Sequence, residues 1–247
     1  MPVFFVPPHL ITPPTVAITG DLLIHVRQSL RVTIGETLLI GDGQGRRYHT
    51  RVTAVTKHAV SGSIIETLAE PTRQVPSIVL GQALLKGDKM DWVIQKATEL
   101  GVRTIIPLQT RHSIVQPKAE RIETQRARWQ RIALEAAQQS EQWTVPSVKG
   151  PQRMAELLER CSDCAIRLML VERGDAGLSL SQINLPQSGD ETIVLLVGPE
   201  GGWAAEEVAL IGQRSLTPIT LGSTILRAET AAISALAVVQ HRLGGLG

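Results

Sequence analysis

The chain has few cysteines, few aromatic residues and no long uninterrupted apolar run. Two cysteines in 247 residues exclude a disulfide scaffold, which leaves the cytoplasm as the expected compartment. No apolar run approaches the ~18 residues of a membrane span, and the N-terminal segment lacks a basic region followed by a small-residue cleavage site. We therefore expect no membrane anchor and no signal peptide.

The near-neutral net charge of +2 conceals an uneven distribution along the chain. Residues 1–131 carry a balance of +7, and residues 132–247 carry −5. This asymmetry indicates that the first half contacts a polyanion, although a solvated charged face would give the same numbers. The composition, 43% apolar and 19% charged, is that of an ordinary globular protein.

The first seventy residues read as short strands separated by turns. A strand over 36–40, the run Gly41-Asp42-Gly43-Gln44-Gly45 and a strand over 48–55 follow one another. A second strand, not a helix, follows the glycines, so the run is a hairpin turn rather than a dinucleotide-binding loop. The pattern predicts a small β-barrel-like domain that ends near residue 73.

From residue 77 onward, apolar strands alternate with helices, which predicts a mostly parallel sheet covered on both faces. We expect Asp88 to cap a helix that stops at Gly101. The last helix is apolar on every side and should be buried all round. The predicted strands lie over 77–81, 102–108, 167–171, 192–197 and 217–221, and the helices over 88–100, 118–140, 154–160, 204–212 and 228–243.

Two segments at predicted strand ends carry the functional signal. Gly198-Pro199-Glu200-Gly201-Gly202 opens a helix, and its glycines would let the backbone approach a ligand. The acidic first turn of that helix favours a neutral or cationic ligand over a phosphate. The second segment runs from 221 to 230 and places Arg227 and Glu229 at the start of the last helix. A carboxylate that only complements the helix dipole would explain Glu229 but not Arg227.

The pair Cys161-Ser-Asp-Cys164 has the spacing of a zinc half-site or a redox pair. A zinc site needs further ligands, and the sequence has no second cysteine pair and no His-x-x-x-His. A redox pair begins a helix, whereas this pair ends one. We expect buried or inert thiols and no metal.

These segments, taken in order, resemble the SPOUT superfamily of methyltransferases and, within it, the bacterial enzymes that methylate uracil N3 in 16S ribosomal RNA. The resemblance spans nearly the whole chain. It is carried most specifically by 197–202 and by 221–230, and further by Lys86-Gly87-Asp88-Lys89-Met90-Asp91 and by 95–102.

The resemblance implies a PUA-like RNA-binding β-barrel over 1–73 and a SPOUT α/β methyltransferase domain with a trefoil knot over 74–247. It also implies a homodimer and S-adenosyl-L-methionine (SAM) as the methyl donor. Arg227 and Glu229 become the catalytic candidates, because uracil N3 must lose a proton before it can attack a methyl group. The residues expected to bind SAM are Val171, Glu172, Val197, Gly198, Pro199, Glu200, Gly201, Gly202, Leu221, Gly222, Ile225, Leu226 and Ala228.

Ribosomal RNA, within the small subunit, is the expected partner, and the seven aromatic residues favour folded RNA over a long single strand. The chain departs from the family pattern at Val3, His112 and Gln142, positions expected to affect RNA contact more than the donor. A SPOUT enzyme with another target, such as a ribose 2′-hydroxyl, and a non-catalytic RNA-binding module remain as alternatives. The residues expected to contact RNA are Arg27, Arg31, Arg46, Arg47, Arg51, Lys86, Lys89, Arg111 and His112.

Overall fold

The computed structural model describes residues 2–72, 74–116, 118–172 and 177–246 and divides the chain into two compact units. The first comprises residues 1–71 together with 137–145, and the second comprises 72–136 and 146–247. The sequence did not predict that residues 137–145 belong to the first unit.

The first unit is built on a six-stranded sheet, paired in the order β1-β4-β5-β6-β3-β2. Along this order the pairing does not join β1 to β2. A short helix, α1 (Gly20–Ile24), continues into a π-helical turn over His25–Ser29. The strands are β1 (Val3–Phe5), β2 (Ile11–Thr12), β3 (Thr15–Ile18), β4 (Thr37–Gly41), β5 (Arg46–Val55) and β6 (Val60–Ala69).

The predicted hairpin is confirmed between β4 and β5. Asp42 Oδ1 accepts hydrogen bonds from the N–H groups of Gln44 (2.7 Å) and Arg46 (3.0 Å). Gly43 adopts a φ of +69°, which an L side chain rarely does. The returning segment packs on this turn, because Val145 N–H donates to Gly43 O at 2.9 Å and Gly45 N–H donates to Trp143 O at 3.2 Å.

The second unit contains an all-parallel sheet, in the order β10-β8-β7-β13-β11-β14-β12 with β9 beside β8. This confirms the predicted parallel α/β architecture. The strands are β7 (Ser77–Ala83), β8 (Thr104–Gln109), β9 (Ser147–Val148), β10 (Gln152–Arg153), β11 (Ile166–Leu170), β12 (Leu178–Ser179), β13 (Thr192–Val197) and β14 (Thr217–Thr220). The helices are α2 (Lys89–Glu99), α3 (Ile122–Gln139, after a 3-10 turn over Ala119–Arg121), α4 (Met154–Arg160), α5 (Ala205–Val208), α6 (Leu210–Gln213) and α7 (Ala228–Arg242).

Strand β13 shows why the sheet must be covered on both faces. Ile193 and Leu195 join one apolar cluster with α2 and α7, whereas Val194 and Leu196 join another with α4. All four side chains are fully buried. An apolar run without alternation therefore produces a central strand with helices on both sides.

Two predictions about helices are corrected, and a third is confirmed in part. Asp88 is the N-cap residue of α2 and Gly101 ends this helix with a φ of +76°, both as predicted, but the Asp88 side chain makes no cap hydrogen bond. The helix predicted over 204–212 is divided into α5 and α6. Helix α7 buries one face only: Ile233 and Ala237 are partly exposed and Val238 is 38% exposed.

Candidate active site

A cavity lies where the parallel strands β11, β13 and β14 end. Carboxyl ends of parallel strands meet at one edge of a sheet, which is where α/β proteins bind ligands. The cavity measures about 420 Å³, within the range of small-molecule sites. Its lining is Lys89, Leu170, Val171, Glu172, Val197, Gly198, Pro199, Glu200, Gly202, Trp203, Thr220, Leu221, Gly222, Thr224, Ile225, Leu226, Arg227, Ala228 and Ala231.

Most of the residues that line this cavity were predicted from the sequence to bind the cofactor. Every residue predicted to bind the cofactor is present except Gly201, and Arg227 is there as well. Lys89 was predicted to contact RNA, Thr224 lies within the predicted loop 221–228, and no prediction was made for Leu170, Trp203, Thr220 and Ala231. Trp203 follows the last glycine of the loop, and its Nε1 donates to Leu170 O at 2.7 Å. A tryptophan directly after a glycine-rich strand end was the available signal.

The three glycines of 198–202 have protein atoms close to the position that a Cβ would occupy. A Cβ on Gly198 would lie 3.1 Å from the Trp203 ring, and one on Gly201 would lie 3.1 Å from Cβ of His112. Gly202 has a φ of +70°, and a Cβ there would clash with Oε1 of Glu172. The expected reason, open space for ligand approach, is therefore incomplete, because neighbouring side chains occupy the space beside all three glycines.

A cation with two carboxylates lies at the edge of the cavity. Lys89 Nζ is 3.0 Å from Oε1 of Glu200 and 3.4 Å from Oε2 of Glu229. The hydrogen bond to Glu200 raises the pKa of Lys89. Burial acts to raise the pKa of Glu200, but hydrogen bonds from Lys89 and from backbone N–H groups outweigh it, so this pKa is lowered. Lys89 and Glu200 are therefore both charged at neutral pH.

The two predicted catalytic residues have different surroundings. Arg227 is the N-cap residue of α7, is exposed and lines the cavity. Glu229 is 14% exposed on its side chain, does not line the cavity and faces Lys89. This geometry favours Arg227 over Glu229 as the group that faces a substrate, because the Glu229 carboxylate is directed to Lys89 and not to the cavity.

His112 contacts the glycine-rich loop. Its Nδ1 lies 3.1 Å from Gly201 O and 3.2 Å from Gly202 O. Carbonyl oxygens only accept hydrogen bonds, so Nδ1 must carry the proton. The preceding N–H, that of Arg111, donates to Oε1 of Glu207 at 3.0 Å. His112 therefore contacts the predicted donor loop, and its effect on RNA contact stays a prediction.

The basic residues predicted to contact RNA are not equally available. Arg27, Arg31, Arg46 and Arg51 in the first unit are exposed, as are Lys86 and Arg111 in the second. Arg47 is half-buried: its guanidinium lies 3.9 Å from the centre of the Trp143 ring and donates to Glu141 O at 2.5 Å. Burial lowers its pKa. This arginine supports the returning segment rather than offering a free cation.

The cysteine pair matches an inert site. Cys161 and Cys164 are free and half-buried. Burial, and to a smaller extent the neighbouring Cys161 thiol, raises the pKa of Cys164 to about 12, so its thiol stays protonated at neutral pH. Among the residues that the structure describes, no group of three or more His, Cys, Asp or Glu side chains could hold a metal ion. Within the same ranges, every helix is too short or too polar to cross a membrane.

Comparison with known families identifies the class. Residues 72–240 match the model described as RNA methyltransferase domain, and residues 18–65 match the model described as RNA methyltransferase PUA domain. Together the two models define an RNA methyltransferase with a PUA domain.

Individual relatives narrow the class. The ribosomal RNA small subunit methyltransferase E of Bacillus subtilis is 32% identical over 93% of this chain and 91% of its own length. The enzyme of that name from Neisseria gonorrhoeae, solved bound to S-adenosyl methionine, is 33% identical with a TM-score of 0.84 over 98% of each chain. A methyltransferase from Legionella pneumophila, solved in complex with SAM, is 28% identical with a TM-score of 0.85 over 97% of each chain. The chain belongs to the ribosomal RNA small subunit methyltransferase E family.

Proposed function

We propose that the protein transfers a methyl group from SAM to N3 of a uridine in 16S ribosomal RNA. The observation that carries the proposal is the 420 Å³ cavity at the ends of β11, β13 and β14, formed by the two glycine-rich segments that resemble SPOUT enzymes. Relatives of the same family with similar folds were solved with SAM bound. The small-subunit RNA substrate follows from the family, and N3 of uridine follows from the resemblance.

The residues of the cavity fit SAM in shape and in charge. Leu221, Leu226 and Ala228 supply apolar surface suited to adenosine, and the carboxylates of Glu172 and Glu200 suit the positive charges of the donor. SAM, when bound, would supply an electrophilic methyl carbon: in-line attack by a nucleophile forms the new bond to this carbon while its bond to sulfur breaks and S-adenosylhomocysteine leaves, a step that needs no metal ion.

The protein must then orient the acceptor and stabilise its deprotonated form. In-line displacement needs the reacting atoms about 3–3.5 Å apart and aligned. Arg227, exposed and on the cavity wall, would donate N–H groups to a uracil oxygen as negative charge develops. The proton that leaves N3 would pass to solvent, because Glu229 faces Lys89 and does not line the cavity. The target base must leave any stack to reach the cavity.

RNA binding would use the exposed arginines of the first unit, Arg27, Arg31, Arg46 and Arg51, with Lys86 and Arg111 of the second. Phosphate contacts of this kind give affinity that falls with salt rather than base specificity. We further propose the trefoil knot that SPOUT resemblance implies, and an enzyme that acts in the cytoplasm on the small subunit.

We also propose a homodimer through the face of α7 that remains exposed. Ile233 and Ala237 are partly exposed and Val238 is 38% exposed, so this apolar face is covered incompletely by the chain itself. A second copy of the chain is the occupant that the family resemblance implies.

The experiment is methyl mapping of 16S ribosomal RNA from cells that lack the protein, with add-back of the wild type or of Arg227→Ala. The wild type should restore one N3-methyluridine, and Arg227→Ala should lower the rate ~10²-fold with SAM affinity within a few-fold. A methyl group on a ribose 2′-hydroxyl would replace the proposed target. Absence of SAM binding by calorimetry would leave the non-catalytic RNA-binding module.

A further inference from the structure

Three charged side chains from three separate strand ends meet beside the cavity. Lys89 is the first residue of α2, downstream of β7; Glu200 follows β13; Glu229 lies in the first turn of α7, downstream of β14. The Lys89 ammonium contacts both carboxylates, at 3.0 and 3.4 Å. The group therefore connects the two glycine-rich segments to each other and to α2.

Local chemistry does not explain a lysine at this position. The first turn of a helix carries partial positive charge, so an ammonium there is unfavourable by itself. The two carboxylates supply the compensation, and Oε2 of Glu229 is buried 3.4 Å from the ammonium. The side chains of Lys89, Glu200 and Glu229 are 33%, 25% and 14% exposed, so solvent screens the group only in part.

We propose that Lys89 is a positioning residue that holds the loop 198–202 and the N-terminus of α7 at the separation that forms the cavity. Without the ammonium, Glu200 and Glu229 would repel each other, and Glu229 would be a buried carboxylate without its cation. The identity of the ligand as SAM rests on the proposed function. The role of Lys89 in connecting the loop 198–202 to the N-terminus of α7 does not.

This role differs from the one that the sequence pattern predicts for Lys89. A phosphate-binding lysine is exposed on the surface, as Lys86 is. Lys89 is instead paired and lines the cavity. RNA contact and positioning therefore make opposite predictions about which ligand loses affinity when the ammonium is removed.

The test compares Lys89→Met, Lys89→Arg and the double variant Lys89→Met/Glu229→Gln. The matched control is Lys96→Met, which removes the same charge from the same helix and breaks the Lys96–Glu99 pair. The first readout is amide hydrogen exchange in the ligand-free protein over 198–203 and 228–232. The second is SAM affinity by calorimetry, which does not depend on the catalytic step.

Positioning predicts faster exchange in both segments and SAM affinity weaker by about tenfold for Lys89→Met. Lys89→Arg should retain most of both properties because it keeps the cation. Adding Glu229→Gln should restore part of the lost affinity, since it removes the unpaired buried charge. Lys96→Met should change neither.

The proposal is overturned if Lys89→Met matches Lys96→Met in exchange and SAM affinity, or if Glu229→Gln restores nothing. A loss confined to RNA affinity, with the salt slope reduced by about one, would assign Lys89 to a phosphate instead. Failure of the wild type to bind SAM would refute the proposed function, while the exchange readout would still decide the role of Lys89.

Discussion

Gly202→Ala tests whether the glycine-rich loop is set by backbone conformation or by the space beside it. Gly202 has a φ of +70°, and an added Cβ would clash with Oε1 of Glu172. That oxygen is the far end of an exposed, flexible side chain, so moving it costs little free energy of folding. The left-handed conformation costs an L-residue roughly 1–2 kcal/mol, so the backbone dominates the loss of stability.

The displaced carboxylate matters for binding rather than for stability. Glu172 lines the cavity and complements the positive charge of SAM in the proposed function. We expect Gly202→Ala to lower the free energy of unfolding by about 1–2 kcal/mol and to weaken SAM binding about tenfold. Urea unfolding and calorimetry measure the two effects separately.

Gly244→Ala is the matched control. Gly244 has a similar φ of +77°, nothing lies within 4 Å of its added Cβ, and it does not line the cavity. It should show the same loss of stability with unchanged SAM affinity. Equal SAM affinities for the two alanine variants would refute the argument about Glu172, and wild-type stability of both would refute the backbone argument.

Three further predictions concern other parts of the molecule. His112→Ala should raise the KM for SAM several-fold with little change in kcat, because it removes the hydrogen bonds to Gly201 and Gly202. His112→Asn, whose Nδ2 can replace Nδ1 as the donor, should keep the KM near that of the wild type. Equal KM values for the two variants would exclude these hydrogen bonds as the cause. Val238→Asp should convert a dimer to a monomer in light scattering at micromolar concentration, and a wild type that is already monomeric would contradict the proposed dimer. Burial raises the pKa of Cys164 to about 12, so iodoacetamide should alkylate it at pH 8 more slowly than it alkylates the amino acid cysteine in solution. The rate should increase only as the pH rises toward 12. Rapid labelling at pH 8, measured by mass spectrometry, would contradict the burial of this thiol.

Several features could be predicted from the sequence because they depend on local patterns. The unbroken apolar run of β13 indicates a strand covered on both faces, and Gly101 after α2 indicates a left-handed helix end. Most of the cavity lining could also be listed in advance, because the strand ends at 197–202 and 221–230 resemble those of SPOUT methyltransferases.

Contacts between distant segments were decided only by the tertiary structure. Lys89 and Arg47 look like free cations in sequence, and each is bound by groups more than ninety residues away: Glu200 and Glu229 for the first, Glu141 for the second. The partner of a charged side chain depends on which strand ends are neighbours in the sheet, and strand order is not encoded in local periodicity.

Tertiary contacts also give Arg227 and Glu229, the two predicted catalytic residues, different surroundings. Arg227 and Glu229 are two residues apart at the start of α7, so their side chains point to different sides of the helix. Local sequence determined that both lie at a strand end beside a ligand cavity. The tertiary structure decided that Arg227 faces the cavity while Glu229 faces Lys89, because only the folded sheet brings the start of α2 next to the start of α7.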